Sequence, residues 1–270
     1  MQLLPLLLLF NHHFQVFHSE GLHLDIKPIR FCAGIHEWPP YYYFKRPNLN
    51  NSNEIGGLDI QLFDAVFNDN GIKYTTELLS WKKCLAEVLK GDKYDVVFGG
   101  GLNPFRAANY VTTKGYYVVT PTFFYSLKEF PNGVHIGVNE DFEKVGHLCG
   151  VGGFNYVNFG LENHTVEMGA PDYVKLVEKT LFARCKVSFA RYEILEGWGK
   201  LLSTDLVNHK ELHFEAVPGV PKESFHLMIS KKYALAHELK AFFESQIGQL
   251  QHQKHFHWLT VESSESMTKK

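Results

Sequence analysis

Strand-like and helix-like segments alternate between residues 29 and 99, and this order constrains the fold more than any other feature of the sequence. Short apolar runs predict strands, and the segments between them carry apolar residues at helical spacing. The alternation predicts an α/β fold, in which a parallel sheet is covered by helices and joined by right-handed crossovers. The predicted strands are Ile29–Ile35, Lys73–Leu79 and Val96–Gly99, and the predicted helices are Leu58–Asn68 and Trp81–Lys90.

A second series with the same alternation begins after residue 146, beyond an extended aromatic segment, Tyr116–Leu127. We therefore predict two similar lobes with a cleft between them, in which residues 22–125 and 222–270 form lobe 1 and residues 126–221 form lobe 2. The apolar segment Phe225–Ser230 is expected to return to lobe 1 as a strand. The other predicted elements are strands His147–Val151, Val187–Ala190 and His213–Val217, and helices Tyr173–Phe182, Tyr192–Leu202 and Tyr233–Leu250.

Candidate ligand contacts follow the strand Val96–Gly99. Three glycines allow close approach of the backbone, and the N–H groups of Gly99 and Gly101 are candidate hydrogen-bond donors. Pro104 is suited to the first position of a helix, which places Arg106 just beyond the end of the strand. Ligands bind there in open α/β sheets, and a guanidinium matches the shape of a carboxylate. The alternative is an ordinary surface ion pair.

Composition excludes some classes of partner. The 270 residues include 27 Lys and Arg, 29 Asp and Glu and 15 His, for a formal net charge of −2. No basic block occurs, which argues against binding to nucleic acid. The histidines are scattered and no HExxH motif is present, so no metal or other cofactor is predicted.

The N-terminus contains an apolar run, Leu3–Phe10, that is too short to span a bilayer. It resembles the apolar region of a secretory signal peptide, although no basic residue precedes it and no clear cleavage motif follows. We predict that residues 1–21 are a signal peptide and that a soluble mature protein is exported to the periplasm. The alternative is an apolar N-terminal extension.

Four cysteines are present, and none forms a C-x-x-C pair. In an exported protein, a bridge within each lobe could join Cys32 to Cys84 and Cys149 to Cys185. Free, buried thiols that pack as small apolar side chains are the alternative.

Several short motifs occur in the same order and with similar spacing as in a known family. The chain resembles the extracellular solute-binding proteins of family 3, the periplasmic amino-acid-binding type, from about Ile29 to Leu259. The resemblance implies a two-lobed, venus-flytrap fold with two crossover strands, acting as a monomer that delivers a small solute to an ABC permease in the membrane. The matching pieces are Ile29–Ile35 with Trp38-Pro39-Pro40-Tyr41, Gly57-Leu58-Asp59-Ile60, Trp81, Gly91 with Tyr94-Asp95, Asn103-Pro104 with Arg106, Tyr116–Tyr125, Gly153-Phe154-Asn155-Tyr156, Leu176–Ala190 and Leu227–Ser230.

The same resemblance implies roles for individual residues. Arg106 stands where the family grips the ligand carboxylate, and Trp38 and Trp81 stand where aromatic rings enclose the ligand. Core packing is the alternative for both tryptophans. Backbone N–H groups at a helix start near Asn155 and the ring of Tyr156 complete the expected wall.

Two departures from the family pattern affect the expected ligand. Glycines replace the hydroxyl residues that usually precede the arginine. In lobe 2, Lys186 and Arg191 stand where an acid is expected to hold the α-amino group, and only Glu193 offers a carboxylate nearby. These changes leave room for a carboxylate without an amine, or for a site that uses Glu193.

Three functions remain open at this stage. The leading one is a non-enzymatic binding protein that captures a small polar carboxylate, an amino acid or a relative of one, for ABC import. The second is an enzyme similar to cyclohexadienyl dehydratases, with Glu193 or Glu37 as a general acid if burial raised its pKa. The third is a sensor or accessory protein that docks a different membrane partner.

Overall fold

The computed structural model describes residues 27–46, 52–138, 141–154 and 156–259. The predicted signal peptide, residues 1–21, lies outside these ranges. Within them, no helix combines the length and the apolar character that crossing a membrane requires.

The described residues form thirteen strands and seven α-helices. The strands are β1 (Ile29–Gly34), β2 (Tyr43–Phe44), β3 (Ile55–Gly56), β4 (Tyr74–Leu79), β5 (Val96–Gly101), β6 (Tyr110–Thr112), β7 (Tyr117–Val119), β8 (Pro121–Ser126), β9 (Leu148–Val151), β10 (Val166–Ala170), β11 (Val187–Arg191), β12 (Leu212–Ala216) and β13 (Glu223–Ser230). The helices are α1 (Leu58–Val66), α2 (Trp81–Lys90), α3 (Pro104–Asn109), α4 (Asp141–Val145), α5 (Tyr173–Leu181), α6 (Tyr192–Leu201) and α7 (Ala236–Leu250).

The first sheet has the strand order β4-β1-β5-β13-β6, and β7 also pairs with β13. Strand β1 runs parallel to β4 and β5, whereas β13 runs antiparallel to its neighbours. Phe31 of β1 is fully buried, and its ring lies 4.8 Å from that of Phe63 on α1 and 6.4 Å from that of Phe98 on β5. These aromatic contacts fix helix α1 on one face of the sheet.

The second sheet has the strand order β10-β9-β11-β8-β12. Its buried core contains Phe142, whose ring lies 5.1 Å from that of Phe123 on β8 and 4.9 Å from that of Phe189 on β11. Each lobe therefore has its own sheet, and the α/β fold class with two crossovers is confirmed.

The chain passes between the sheets twice, from β7 to β8 and from β12 to β13. The first crossing corrects the lobe boundary predicted at residue 125, because Pro121–Ser126 already pairs with β11 and β12 of the second sheet. The predicted extended segment is thus two strands in different sheets. The segment is apolar and aromatic on both sides of Thr120, so its composition does not mark the change of sheet.

Both pairs of cysteines form disulfides, which resolves the alternative left open by the sequence. Cys32 on β1 is bonded to Cys84 on α2, and Cys149 on β9 is bonded to Cys185, just before β11. Each bridge stays within one lobe and ties a strand next to the cleft to its neighbouring element.

Candidate ligand-binding cleft

A cavity of about 270 Å³ lies between the lobes, at the carboxyl ends of β1 and β5. This position and size suit a small solute, since open α/β sheets bind ligands beyond the ends of their strands. The lining comprises Gly34, His36, Trp38, Tyr42, Trp81, residues 99–103, Arg106, Glu223 and Phe225 from the first lobe, and Gly153, Phe154, Asn158 and Arg191 from the second.

Arg106 is positioned by a local helix start. The side chain of Asn103 accepts a hydrogen bond from the Arg106 backbone N–H at 2.8 Å, which caps helix α3. The guanidinium donates from Nη1 to the Gly101 carbonyl at 2.7 Å and lies 5.1 Å from the centre of the Trp81 ring. It is half-buried, and burial lowers its pKa, although arginine stays charged near neutral pH.

No carboxylate pairs with Arg106 among the residues that the structure describes. A half-buried guanidinium without a counter-ion attracts an anion, because burial reduces screening by water. Arg106 is therefore the principal candidate for binding a carboxylate.

Aromatic rings form much of the cleft wall. Trp38 is 7% exposed, and its ring lies 5.6 Å from those of Phe154 and Phe225. Trp81 is half-buried beneath the Arg106 guanidinium. Phe154 belongs to lobe 2 and Trp38 to lobe 1, so their edge-to-face contact connects the two walls.

An ion pair connects the lobes beside these rings. Arg191 ends β11 in the second sheet, and Glu223 begins β13 in the first. The Arg191 guanidinium donates from Nε and Nη2 to the two Glu223 oxygens, at 2.5 and 3.0 Å, and Asn158 Nδ2 donates to the same carboxylate at 2.9 Å. The two charged side chains are only 7% and 10% exposed. Burial acts to lower the pKa of Arg191, but the charge of Glu223 and its hydrogen bonds outweigh it, so the pKa is raised.

The three glycines lie inside strand β5, not in a loop after it. Gly99 has φ +66°, and a Cβ there would approach the Tyr42 ring to 2.4 Å. At Gly100 a Cβ would lie 2.4 Å from Met228 Cε and 3.0 Å from Trp81. Gly99 and Gly100 therefore let aromatic and methionine side chains pack against the end of the strand. That the N–H groups of Gly99 and Gly101 bind a ligand stays a prediction.

Two of the predicted contacts, Tyr156 and Glu193, lie outside the described lining of the cleft. Tyr156 is 1% exposed and packs in the core of lobe 2, where its hydroxyl donates to the Val151 carbonyl at 3.2 Å. Glu193 does not line the cleft, because its carboxylate accepts hydrogen bonds from the N–H and hydroxyl of Thr120. Asn155 lies outside the described residues. The nearest described helical segment is a short 3₁₀ turn, Val157–Phe159.

Glu37, the other carboxylate considered as a general acid, is also engaged outside the cleft. It forms an ion pair with Arg46 and accepts the Phe44 N–H at 2.6 Å. Neither Glu37 nor Glu193 is therefore placed to protonate a ligand in the cavity.

Sequence reasoning missed several lining residues. Phe154 follows a double glycine after strand β9. Glycines at the end of a strand also marked Arg106 as a candidate, so the sequence did contain a signal for Phe154. Glu223 and Phe225 open the return strand, and no local pattern marks them as cleft residues. Arg191 was noticed only as a position where an acid was expected.

Two α/β sheets, joined by two crossovers and enclosing a cleft at their strand ends, define the two-lobed fold of periplasmic binding proteins. No family model matches the sequence, and no curated protein matches it significantly. Solved structures match the fold at about 15% sequence identity, and at that level they establish the fold alone.

Three similar structures illustrate the range. One is an ABC uptake transporter substrate-binding protein from Streptococcus pneumoniae with bound histidine, at 15% identity and a TM-score of 0.64, with 85% of this chain and 89% of that chain covered. Another is an ancestral amino-acid-binding protein, a precursor of cyclohexadienyl dehydratase, at 15% identity and a TM-score of 0.63, with 86% of this chain and 96% of that chain covered. The third is a histidine kinase sensor domain similar to periplasmic binding proteins, at 16% identity and a TM-score of 0.62, with 87% of this chain and 97% of that chain covered.

Proposed function

We propose that this protein is an extracytoplasmic solute-binding protein that captures a small carboxylate-bearing ligand in the interlobe cleft and delivers it to an ABC permease. The observation that carries the proposal is Arg106, a half-buried cation with no carboxylate partner among the described residues, at the mouth of an aromatic-walled cavity. Arginine binds a carboxylate through two parallel hydrogen bonds, which fixes both the position and the orientation of the ligand.

Ligand capture in such a fold depends on the relative positions of the lobes. A ligand held by Arg106 on lobe 1 and in contact with Phe154 on lobe 2 binds the closed arrangement more tightly than the open one. Its differential affinity then shifts the population toward the closed form. A transporter that contacts both lobes then binds the closed, ligand-loaded form in preference to the open form.

An extracytoplasmic location fits the cysteine chemistry. The two disulfides, Cys32–Cys84 and Cys149–Cys185, are of the kind that persists in oxidising compartments such as the periplasm. The apolar run near the N-terminus agrees with export.

A sensor is the second candidate, since a histidine kinase sensor domain shares this fold. The cleft chemistry is the same in both cases, and only the membrane partner differs. Reconstitution with the cognate permease distinguishes them, because a transport protein stimulates ATP hydrolysis in its loaded form and a sensor does not.

Thermal unfolding tests the binding proposal. A panel of small carboxylates, amino acids included, is compared with the primary amide of each acid. At 100 times its Kd, a ligand raises the free energy of unfolding by about 2.7 kcal/mol, which corresponds to a Tm increase of roughly 5–10 °C. We expect such increases with carboxylates and not with their amides. Equal shifts with both, or no shift with any carboxylate, would contradict the proposal.

A further inference from the structure

The charged groups of the cleft determine which substituents a bound carboxylate can carry. Among the described lining residues, the charged side chains are Arg106, Arg191 and Glu223, and His36 lies at the exposed rim. Arg191 and Glu223 neutralise each other through two hydrogen bonds. The described part of the lining therefore offers one uncompensated positive charge, on Arg106, and no uncompensated negative charge.

Glu223 is poorly placed to receive a ligand ammonium group. Its Oε1 already accepts hydrogen bonds from Arg191 Nη2 and Asn158 Nδ2, and its Oε2 accepts one from Arg191 Nε. An ammonium in the cavity would lose its hydration and meet a carboxylate whose charge is already balanced. Desolvating a charge without a counter-charge is strongly unfavourable.

The remaining surface of the cleft favours an apolar body on the ligand. Trp38, Phe154 and Phe225 form a contiguous group of rings, and Trp81 lies beneath the Arg106 guanidinium. These rings can bury a branched aliphatic or aromatic side chain without a polar partner.

We infer that the cleft selects small monocarboxylates without an α-ammonium group, namely 2-oxo or 2-hydroxy acids with an apolar side chain, over the matching α-amino acids. The inference rests on the proposed function, in which Arg106 holds the carboxylate. Arg106 then binds the ligand anion, and the neutral Arg191–Glu223 pair makes an ammonium group unfavourable.

Matched ligand pairs test the inference by calorimetry on the wild-type protein. Suitable pairs are 4-methyl-2-oxopentanoate with leucine, and phenylpyruvate and phenyllactate with phenylalanine. We expect the oxo or hydroxy acid to bind at least about tenfold more tightly, equivalent to 1.4 kcal/mol. Equal or tighter binding of the amino acid, with dependence on Arg106 intact, would overturn this inference and leave the proposed function standing. No binding of any member of these pairs would overturn this inference, and no binding of any carboxylate in the wider thermal panel would overturn the proposed function as well.

Variants of the ion pair give a second, independent readout. Arg191→Gln leaves the Glu223 carboxylate uncompensated. The affinity for the amino acid, relative to that for the matching oxo or hydroxy acid, should therefore rise at least about tenfold. The double variant Arg191→Gln with Glu223→Gln removes both charges and should keep the wild-type ratio. Lys186→Gln is the matched control, because this lobe 2 cation pairs with Glu129 outside the cleft.

A folded Arg191→Gln protein with the wild-type ratio would overturn the inference. Removal of one member of a buried pair can prevent folding. In that case the double variant and the wild-type ligand pairs decide the matter, because an amino-acid preference in either protein contradicts the account.

Discussion

Glu193 holds Thr120 by two hydrogen bonds, one from the backbone N–H at 2.7 Å and one from the hydroxyl at 2.8 Å. Thr120 separates β7 of the first sheet from β8 of the second, and Glu193 lies in the first turn of α6. The contact therefore anchors one of the two crossings between the lobes to a helix of lobe 2. Hinges are formed by a few such residues at the ends of elements.

Loss of this anchor should affect stability more than ligand binding. Glu193→Ala leaves the Thr120 N–H without its acceptor, and we expect the free energy of unfolding to fall by about 1–3 kcal/mol. Ligand affinity should change less than it does in Arg106 variants, since Glu193 does not line the cleft. Denaturant unfolding measures the first effect. Glu196→Ala on the same helix, which removes only an exposed pair with Lys200, is the control. Equal losses of stability in the two variants would contradict the anchoring role of Glu193.

The three-glycine segment offers a test of packing at the cleft. Gly99→Ala is expected to lower the free energy of unfolding by about 1–3 kcal/mol, because of its positive φ and the close approach of Tyr42. Gly101→Ala should be nearly neutral, since a Cβ there meets only the Ser224 carbonyl, at 3.7 Å. Denaturant unfolding compares the two variants. A tolerated Gly99→Ala, or an equally harmful Gly101→Ala, would show that this view of the segment is wrong.

Local signals predicted much of the fold. Helix α2 begins at Trp81 and ends at Lys90 as predicted, because Ser80 and Gly91 mark its ends within the sequence itself. Strand β5 extends two residues beyond the prediction to Gly101, because pairing of Gly101 with Phe225 of β13 is decided far away in the chain. The change of sheet at Thr120 has the same kind of cause.

The candidate site shows the same limit. Arg106 could be proposed from neighbouring residues, since strand, glycines and helix start are adjacent in sequence. The partnership of Arg191 with Glu223 could not, because it depends on the return of β13 beside the end of β11. Glu193 was proposed instead, as the carboxylate nearest in sequence to Arg191.

The disulfides should contribute measurably to stability. Cys32–Cys84 spans 52 residues and Cys149–Cys185 spans 36, so each limits the freedom of the unfolded chain. Replacing either pair by serine should lower the free energy of unfolding by about 2–4 kcal/mol. Reductant should lower the stability of the wild-type protein and leave a variant that lacks both bridges unchanged. Wild-type stability that is insensitive to complete reduction would contradict this expectation.

Asp59 predicts a specific dependence of stability on pH. It is fully buried, Tyr116 donates to its Oδ1 at 3.1 Å, and Oδ2 has no hydrogen-bond partner among the described residues. Burial raises the pKa of its carboxyl to about 8, and the Tyr116 hydrogen bond offsets this only in part. Between the unfolded pKa near 4 and the folded value, the native state holds a proton that the unfolded chain has released.

The contribution of Asp59 to stability is therefore fully present below about pH 4 and declines through the interval up to about pH 8, by roughly 1.4 kcal/mol per pH unit. Asp59→Asn removes this slope, so its stability relative to wild type should improve as pH rises from about 5 to 8. Urea unfolding of both proteins at several pH values from about 5 to 8 measures this difference in the free energy of unfolding. Asp69→Asn, at an exposed position, is the control. Parallel profiles for wild type and Asp59→Asn would rule out the buried acid as the cause.

The central claim is that Arg106 holds the carboxylate of the ligand. Calorimetric titration tests it most directly, and it compares wild type with Arg106→Gln. The ligand is the carboxylate that gives the largest thermal shift. Loss of hydrogen bonds between charged groups should weaken binding by about tenfold to 100-fold. Lys82→Gln, an exposed cation beside Trp81, should bind as wild type does. A folded Arg106→Gln protein that binds the carboxylate with wild-type affinity would contradict the account.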